Sequence, residues 1–94
     1  MTDLDRLVKV LFGLVKKAET LSPERDWSET KEATQTLSKL LTIAADAVGD
    51  QKVVELYTGM IRNQLMTTTD PDEKAGYSEV LDAINREFSA TLLN

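Results

Sequence analysis

The sequence predicts an all-α fold, an antiparallel up-down-up-down four-helix bundle that forms a single domain over residues 1–94. Apolar residues recur at intervals of three and four along most of the chain, which is the period of an amphipathic helix. Glycine and proline are scarce, with four and two copies, and no segment shows the strict alternation of a strand. The segments between the helices are short, which makes sequential helices antiparallel neighbours.

The first helix is predicted from about Asp3 to Thr20, with Thr2 as its N-cap and Asp5 as the partner in a capping box. Its apolar residues cover an arc of about 200° when successive residues are placed about 100° apart. Such an arc is wider than the surface that a single neighbouring helix covers. We therefore expect this helix to be central in the bundle, or else to form a second interface.

Two kinds of second interface are open. One is a homodimer seam through Val10, Leu14 and Leu21, which widen the apolar arc. The other is contact with a membrane surface. The lysines that would support the membrane contact lie on the opposite side of the helix: Lys9, Lys16 and Lys17.

A turn at Ser22-Pro23 precedes the second helix, because proline fixes its own φ and disfavours a helical residue before it. The second helix is predicted to begin between residues 26 and 31 and to run to Val48. Gly49 is predicted to end it in a left-handed conformation. The apolar residues that we expect to face the core are Ala33, Leu37, Leu40, Leu41, Ala44 and Val48.

The third helix is predicted from about Gln51 to Met66, with Asp50 as its cap. The three consecutive threonines that follow end it, because β-branched residues lower helix propensity. Its apolar face is predicted to consist of Val53, Val54, Tyr57, Met60, Ile61 and Leu65.

The fourth helix has the clearest start in the chain. Asp70 is at the N-cap and Pro71 at the first helical position, and Asp72 and Glu73 follow in the first turn, where the helix dipole favours acids. The helix is predicted to run to about Leu92. Its apolar stripe is predicted to consist of Tyr77, Val80, Leu81, Ile84, Phe88 and Leu92.

The composition excludes several kinds of chemistry. The chain has no His and no Cys, which rules out disulfides, zinc sites with nitrogen or sulfur ligands, cysteine nucleophiles and His-based acid–base pairs. Lys and Arg number 11 against 16 Asp and Glu, a net charge of −5, so the basic surface that nucleic-acid phosphates need is lacking. We expect no catalytic residues, no cofactor, no metal and no nucleic-acid partner.

The sequence also predicts a cytoplasmic protein without an integral membrane segment. The N-terminal residues lack the positive charge and apolar stretch of a secretory signal. The longest apolar run, Val10 to Val15 with Gly13 included, has six residues, whereas a membrane span needs about 20.

The acidic residues of the fourth helix do not match a calcium loop. An EF-hand counted from Asp70 needs Gly and Glu at positions where Ala75 and Leu81 stand, so we interpret the acids of the first turn as helix capping. Glu79 and Asp82 lie three residues apart. Paired carboxylates can catalyse hydrolysis when their pKa values are split, but here we expect a solvated polar face.

Trp27 is the single tryptophan and lies in the least regular segment of the chain. It either closes one end of the bundle or anchors a protein partner, since tryptophan is enriched at binding hot spots. The partner-binding residues that we predict from the sequence are Trp27, Asp70, Asp72, Glu73, Glu79, Asp82 and Arg86.

The order of the elements carries a resemblance to a known family. The leucine-rich second helix ends in Val48-Gly49-Asp50, and a polar break separates the third helix from a final amphipathic helix. The third helix carries a set of spaced apolar residues, Leu56, Met60, Ile61 and Leu65. Over about residues 31–88 the chain resembles the immunity proteins of pediocin-like (class IIa) bacteriocins.

The resemblance implies a small cytosolic four-helix bundle without catalytic activity. It implies that the protein protects a producer cell by engaging the sugar-transporter receptor, on the cytoplasmic side of the membrane, together with the bacteriocin. By position it places specificity in residues 67–94.

Two classes of function are therefore predicted. The first is a non-catalytic protein-binding module of the immunity type. The alternative is a homodimeric structural or regulatory helical bundle, such as a phage or mobile element would encode. An acidic mimic of nucleic acid is a third reading, for which a net charge of −5 is modest.

Overall fold

The computed structural model describes residues 2–92, and their side chains up to residue 89. Four helices follow one another: α1 (Asp3–Leu21), α2 (Ser28–Val48), α3 (Asp50–Thr67) and α4 (Pro71–Leu92). No strand occurs between residues 2 and 92. The predicted all-α four-helix bundle is confirmed, and the predicted helix ends fall within a few residues of those observed.

The predicted cap of α1 is confirmed. The Asp5 backbone N–H donates to Thr2 Oγ1 at 3.1 Å, and the Thr2 N–H donates to Asp5 Oδ2 at 3.2 Å. At the start of α2, the backbone N–H and the hydroxyl of Ser28 both donate to Asp26 Oδ1, at 3.0 and 2.7 Å. These two bonds, the hydroxyl bond above all, lower the pKa of the Asp26 carboxyl below its ordinary value.

The predicted role of Asp50 as a cap is wrong. Only Gly49 separates α2 from α3, and it serves both as the C-cap of α2 and as the N-cap of α3. Its φ is +93°, a conformation that glycine adopts without strain. Asp50 is already helical, and its carboxylate lies in the first turn of α3, where the helix dipole favours negative charge.

The bundle has two inner and two outer helices. α1 and α3 each contact all three other helices, whereas α2 and α4 each contact only α1 and α3 within residues 2–92. The expectation that the first helix is central is therefore confirmed. Its wide apolar arc matches its three neighbours.

The buried core consists of ten apolar residues, among which Leu7 is fully buried. The ten are Leu4, Leu7, Leu11, Leu41, Ala45, Val53, Tyr57, Ile61, Leu81 and Ile84. The predicted core-facing side of α4 is confirmed, because Tyr77, Val80 and Phe88 pack against this core. The side chain predicted at Leu92 lies outside the described residues.

The predicted core face of α2 is wrong in large part. Of its six residues only Leu41 is buried, whereas Leu40 and Val48 are exposed and Leu37 is half-buried. α2 has only two neighbouring helices, so the arc of its surface that others cover is narrow. The same correction applies on α3 to Met60, which is exposed.

Candidate functional site

Several large apolar side chains are exposed on α2 and α3. We define the α2–α3 face by six residues: Leu37, Leu40, Ile43, Ala44, Leu56 and Met60. Leu40 is 58% exposed, Ile43 65%, Leu56 56% and Met60 51%. Scattered exposed apolar residues are ordinary on soluble proteins, whereas large contiguous apolar patches are typical of interaction surfaces.

The spacing of these residues explains why they share one side of the bundle. Leu37, Leu40 and Ala44 are separated by three and four residues on α2, and Leu56 and Met60 by four on α3. Residues at these intervals lie one above the other on a helix. Because α2 and α3 pack against each other, the two rows lie side by side.

A groove of ≈ 200 Å³ runs between the two rows. Its lining combines residues of the α2–α3 face with core residues: Leu37, Leu41, Ala44, Val53, Leu56, Tyr57 and Met60. A hollow of ≈ 450 Å³ over the N-terminal half of α2 shares Leu37 with it. The exposed apolar surface is therefore continuous with the core, without a polar layer between them.

Tyr57 lies in this groove with little exposure to solvent. Burial raises the pKa of its phenol above the ordinary value of 10.0, because the charged form loses hydration. The floor of the groove thus contains a largely buried aromatic side chain.

Opposite charges lie at the two ends of the α2–α3 face. Glu29 and Glu32 line the hollow at the N-terminal end of α2. Lys52 lies one turn before Leu56 near the start of α3, at the other end. None of these three charges forms an ion pair within the described part of the chain.

A second cavity of ≈ 510 Å³ lies between α1, α3 and α4. Its charged lining is mixed, with Asp3 and Glu55 against Arg6 and Arg62. Thr58 Oγ1 is buried beside it without a hydrogen-bond partner in the described residues. A lining of balanced charge favours no single class of charged ligand.

Arg6 of this cavity is engaged in holding α1 against α4. Its Nε lies 3.1 Å from Glu87 Oε1, and Nη2 donates to the Glu87 backbone carbonyl at 2.6 Å. The guanidinium also lies 4.7 Å from the centre of the Phe88 ring. No sequence signal predicted this contact, because 81 residues separate the two partners.

Trp27 belongs to the connection between α1 and α2. Its Nε1 donates to the Ser22 carbonyl at 2.8 Å, and the Arg25 guanidinium lies 4.5 Å from its ring. The ring is half-buried and is not part of the buried core. The indole N–H and one face of the ring thus contact residues of the connection itself.

Several of the predicted acidic residues of α4 contact other residues of the chain. Asp70 Oδ1 accepts from the Asp72 N–H at 2.9 Å, and Glu73 Oε2 accepts from Thr68 Oγ1 at 2.7 Å. Glu79 Oε1 lies 3.6 Å from the ammonium of Lys17 on α1. The predicted capping by Asp70 is confirmed.

Asp82 and Arg86 are exposed on α4. Within residues 2–92 the structure contains no cluster of three or more carboxylates that could hold a metal ion.

The residues predicted as a homodimer seam on α1 are mostly covered. Val10 and Leu14 are half-buried, and Val10 packs against the core. Leu21 is exposed at the C-terminal end of α1. The α2–α3 face is a different surface, and the sequence predicts that four of its residues face the core: Leu37, Leu40, Ala44 and Met60.

Comparison with known proteins does not identify a relative, since no family model, curated protein or solved structure matches this chain. None of the helices in residues 2–92 combines the length and the apolar character that crossing a membrane requires.

Proposed function

We propose that this chain is a non-catalytic protein-binding module that holds its partner on the α2–α3 face. The observation that carries the proposal is the exposure of Leu40, Ile43, Leu56 and Met60 on the two helices that form an apolar groove. The centres of protein interfaces are apolar and poor in charge, with charged residues at the rim. The α2–α3 face has this distribution.

Covering the exposed side chains of this face contributes favourably to the free energy of binding. Full burial of a Leu, Ile or Met side chain stabilises by about 1.5–3 kcal/mol. About half of each of the four side chains is still exposed, so covering them contributes on the order of 4 kcal/mol. Contacts at the rim add to this.

The chemistry of the face favours binding over catalysis. The six residues that define it have no titratable side chain. Tyr57, on the floor, has a raised pKa and therefore stays neutral near pH 7, where its phenol is a poor base. His and Cys, the usual acid–base and nucleophilic side chains, do not occur in the sequence.

Site-specific photo-crosslinking in the native host tests the proposal. A photo-reactive amino acid replaces Leu40 in one variant and Gln35 in the control. Both positions are exposed on α2, but they point about 140° apart around the helix axis. We expect protein adducts from position 40 and none from position 35. Equal adducts from both positions, or none from either, would contradict the proposal.

The narrower proposal is immunity against a class IIa bacteriocin, exerted on the cytoplasmic side of a membrane receptor. It is supported by the resemblance in element order over about residues 31–88. Expression in a bacteriocin-sensitive strain tests it, and we expect survival on exposure to at least one class IIa peptide. If the chain protects against none of these peptides, the immunity proposal is wrong. The general proposal of a protein-binding module is then unaffected.

A protective chain also allows the two surfaces to be compared. Leu40→Lys changes the α2–α3 face, and Asp82→Lys changes the exposed side of α4 in the segment that the resemblance implicates. If the α2–α3 face binds the receptor complex, Leu40→Lys abolishes protection and Asp82→Lys preserves it.

A further inference from the structure

We propose that the partner on the α2–α3 face is a second copy of this chain, packed against it about a two-fold axis. The inference rests on the proposed function and names its partner. The two faces meet with their α2 helices antiparallel, so that each copy offers the same surface to the other, as a two-fold interface requires.

The first argument is the surface area of the chain. A compact monomer of 10.5 kDa exposes about 5,400 Å², whereas this chain exposes 6623 Å². The excess is roughly 1,200 Å², and a protein interface of standard size buries about 800 Å² on each partner. The surplus is summed over the whole chain and not over this face alone, and it is larger than the area that one such interface covers on each partner.

The second argument is the distribution of charge along the face. Only Gly49 separates α2 from α3, and the two helices pack against each other. Lys52 is therefore near the level of the last turn of α2. Glu32, at the other end, is eight residues before Leu40, which is about 12 Å at 1.5 Å per residue. Glu32 and Lys52 thus lie on opposite sides of Leu40 along the helix axis.

A two-fold axis that passes near Leu40 exchanges the two ends. It brings Lys52 of one copy towards Glu32 of the partner subunit, and the same pairing occurs a second time by symmetry. The apolar residues between the ends then cover one another. A membrane surface would instead favour lysines along the whole rim, and Glu29 and Glu32 oppose that.

Sedimentation of the full chain at micromolar concentration tests the inference. We expect a particle of twice the 10.5 kDa chain mass that dissociates on dilution. Leu40→Lys is expected to sediment as a monomer, because it places two like charges near the axis. Gln35→Lys carries the same new charge on the same helix but outside the face, and it is expected to remain a dimer.

A charge exchange tests the two-fold geometry. We expect Lys52→Glu and Glu32→Lys each to raise the dissociation constant at least about tenfold, because like charges then meet across the interface. The double variant restores the opposite pairing and is expected to return the constant towards that of the wild type. Lys74→Glu, an exposed lysine on α4, is the control for the change in net charge.

The outcomes separate this inference from the proposed function. A monomeric wild type at every concentration, together with adducts to another protein from position 40, overturns the inference and keeps the proposed function. A dimer that Leu40→Lys and Met60→Lys both leave intact places the contact elsewhere, Leu21 on α1 included, and overturns the inference. A dimer that both variants dissociate, with their circular dichroism spectra unchanged, supports it.

Discussion

α1 and α2 differ in how much of their apolar surface the rest of the bundle covers. α1 has three neighbouring helices and buries Leu4, Leu7 and Leu11, whereas α2 has two and leaves Leu40 and Ile43 exposed. Both helices are rich in apolar residues at helical spacing. Hydrophobic periodicity therefore indicates how much apolar surface a helix has. It does not reveal which part of that surface a neighbouring helix covers.

The polar contacts differ between the same two sides of the molecule. The ion pairs between helices in the described residues all involve α1: Arg6–Glu87 and Lys17–Glu79 join it to α4, and Lys31–Glu19 joins it to α2. No side-chain hydrogen bond or ion pair joins α2 to α3 in that part of the chain. α2 and α3 are thus held together by apolar packing.

The largest effect is expected from shortening a leucine on the covered side. Leu7→Ala removes a fully buried side chain, and we expect it to lower the free energy of unfolding by about 3 kcal/mol through lost burial and a residual cavity. Leu40→Ala makes the same chemical change at an exposed position and is expected to cost less than about 1 kcal/mol. Urea unfolding measures both, at a concentration low enough to keep the chain monomeric.

Equal losses from the two alanine variants would remove the contrast between α1 and α2, because Leu40 would then be as well covered as Leu7. A stability loss from Leu40→Ala that grows with protein concentration would strengthen the contrast between the two helices. Such a loss would show that association, and not the fold of the single chain, covers Leu40.

The second effect concerns the ion pairs of α1. Arg6 is largely covered and makes bonds to both the carboxylate and the carbonyl of Glu87. We expect Arg6→Ala to lower the free energy of unfolding by about 2 kcal/mol, since charge-assisted bonds are lost and the Glu87 carboxylate loses its partner. Lys17→Ala breaks an ion pair in which both side chains are more than half exposed, and it is expected to cost less than about 0.5 kcal/mol.

If Arg6→Ala and Lys17→Ala lowered the free energy of unfolding by similar amounts, the ranking of the two ion pairs by burial would be wrong. Thermal unfolding in low and high salt separates the two cases further. Salt is expected to screen the exposed pair of Lys17 and to change the contribution of Arg6 little.

The third effect concerns the start of α4. Asp70→Ala removes the carboxylate that accepts from the Asp72 N–H, and a lost N-cap costs about 1 kcal/mol. Asp82→Ala, on the exposed side of the same helix, is expected to change stability by less than about 0.5 kcal/mol. If both variants weaken binding and not stability, the acids of α4 form a partner surface, as we predicted from the sequence, and their capping role is secondary.

The sequence was sufficient to predict the four helices, because their signals are local. The capping box of Thr2 and Asp5, the positive φ of Gly49 and the Asp70-Pro71 start each depend on residues within a few positions of one another. The apolar stripe of α4 could be assigned because apolar spacing there coincides with burial.

The α2–α3 face and the Arg6–Glu87 contact could not be predicted in the same way. Both depend on how helices distant in sequence are placed in the bundle. Leu40 and Leu41 are adjacent residues of the same type, yet one is exposed and the other buried. The two side chains point about 100° apart around the helix axis, and no local pattern records which of these directions the neighbouring helices cover.

The smallest effect is expected at Tyr57, on the floor of the groove, and it appears only in alkali. Burial raises the folded-state pKa of this phenol above its ordinary value of 10.0. Its contribution to stability is therefore fully present below pH 10.0 and is lost as the pH rises through the folded-state pKa. Tyr57→Phe has no ionisable group there, so its free energy of unfolding is expected to fall less steeply above that pH.

The same phenol reports whether the groove is covered. If a second copy packs over the α2–α3 face, the tyrosinate absorbance that Tyr57→Phe removes is expected to appear at higher pH in the wild type than in Leu40→Lys. The reason is that a covered phenolate loses still more hydration. Identical titrations of the wild type and Leu40→Lys, under conditions in which the wild type sediments as a dimer, would place the dimer contact away from Tyr57 and leave the groove open to a different partner.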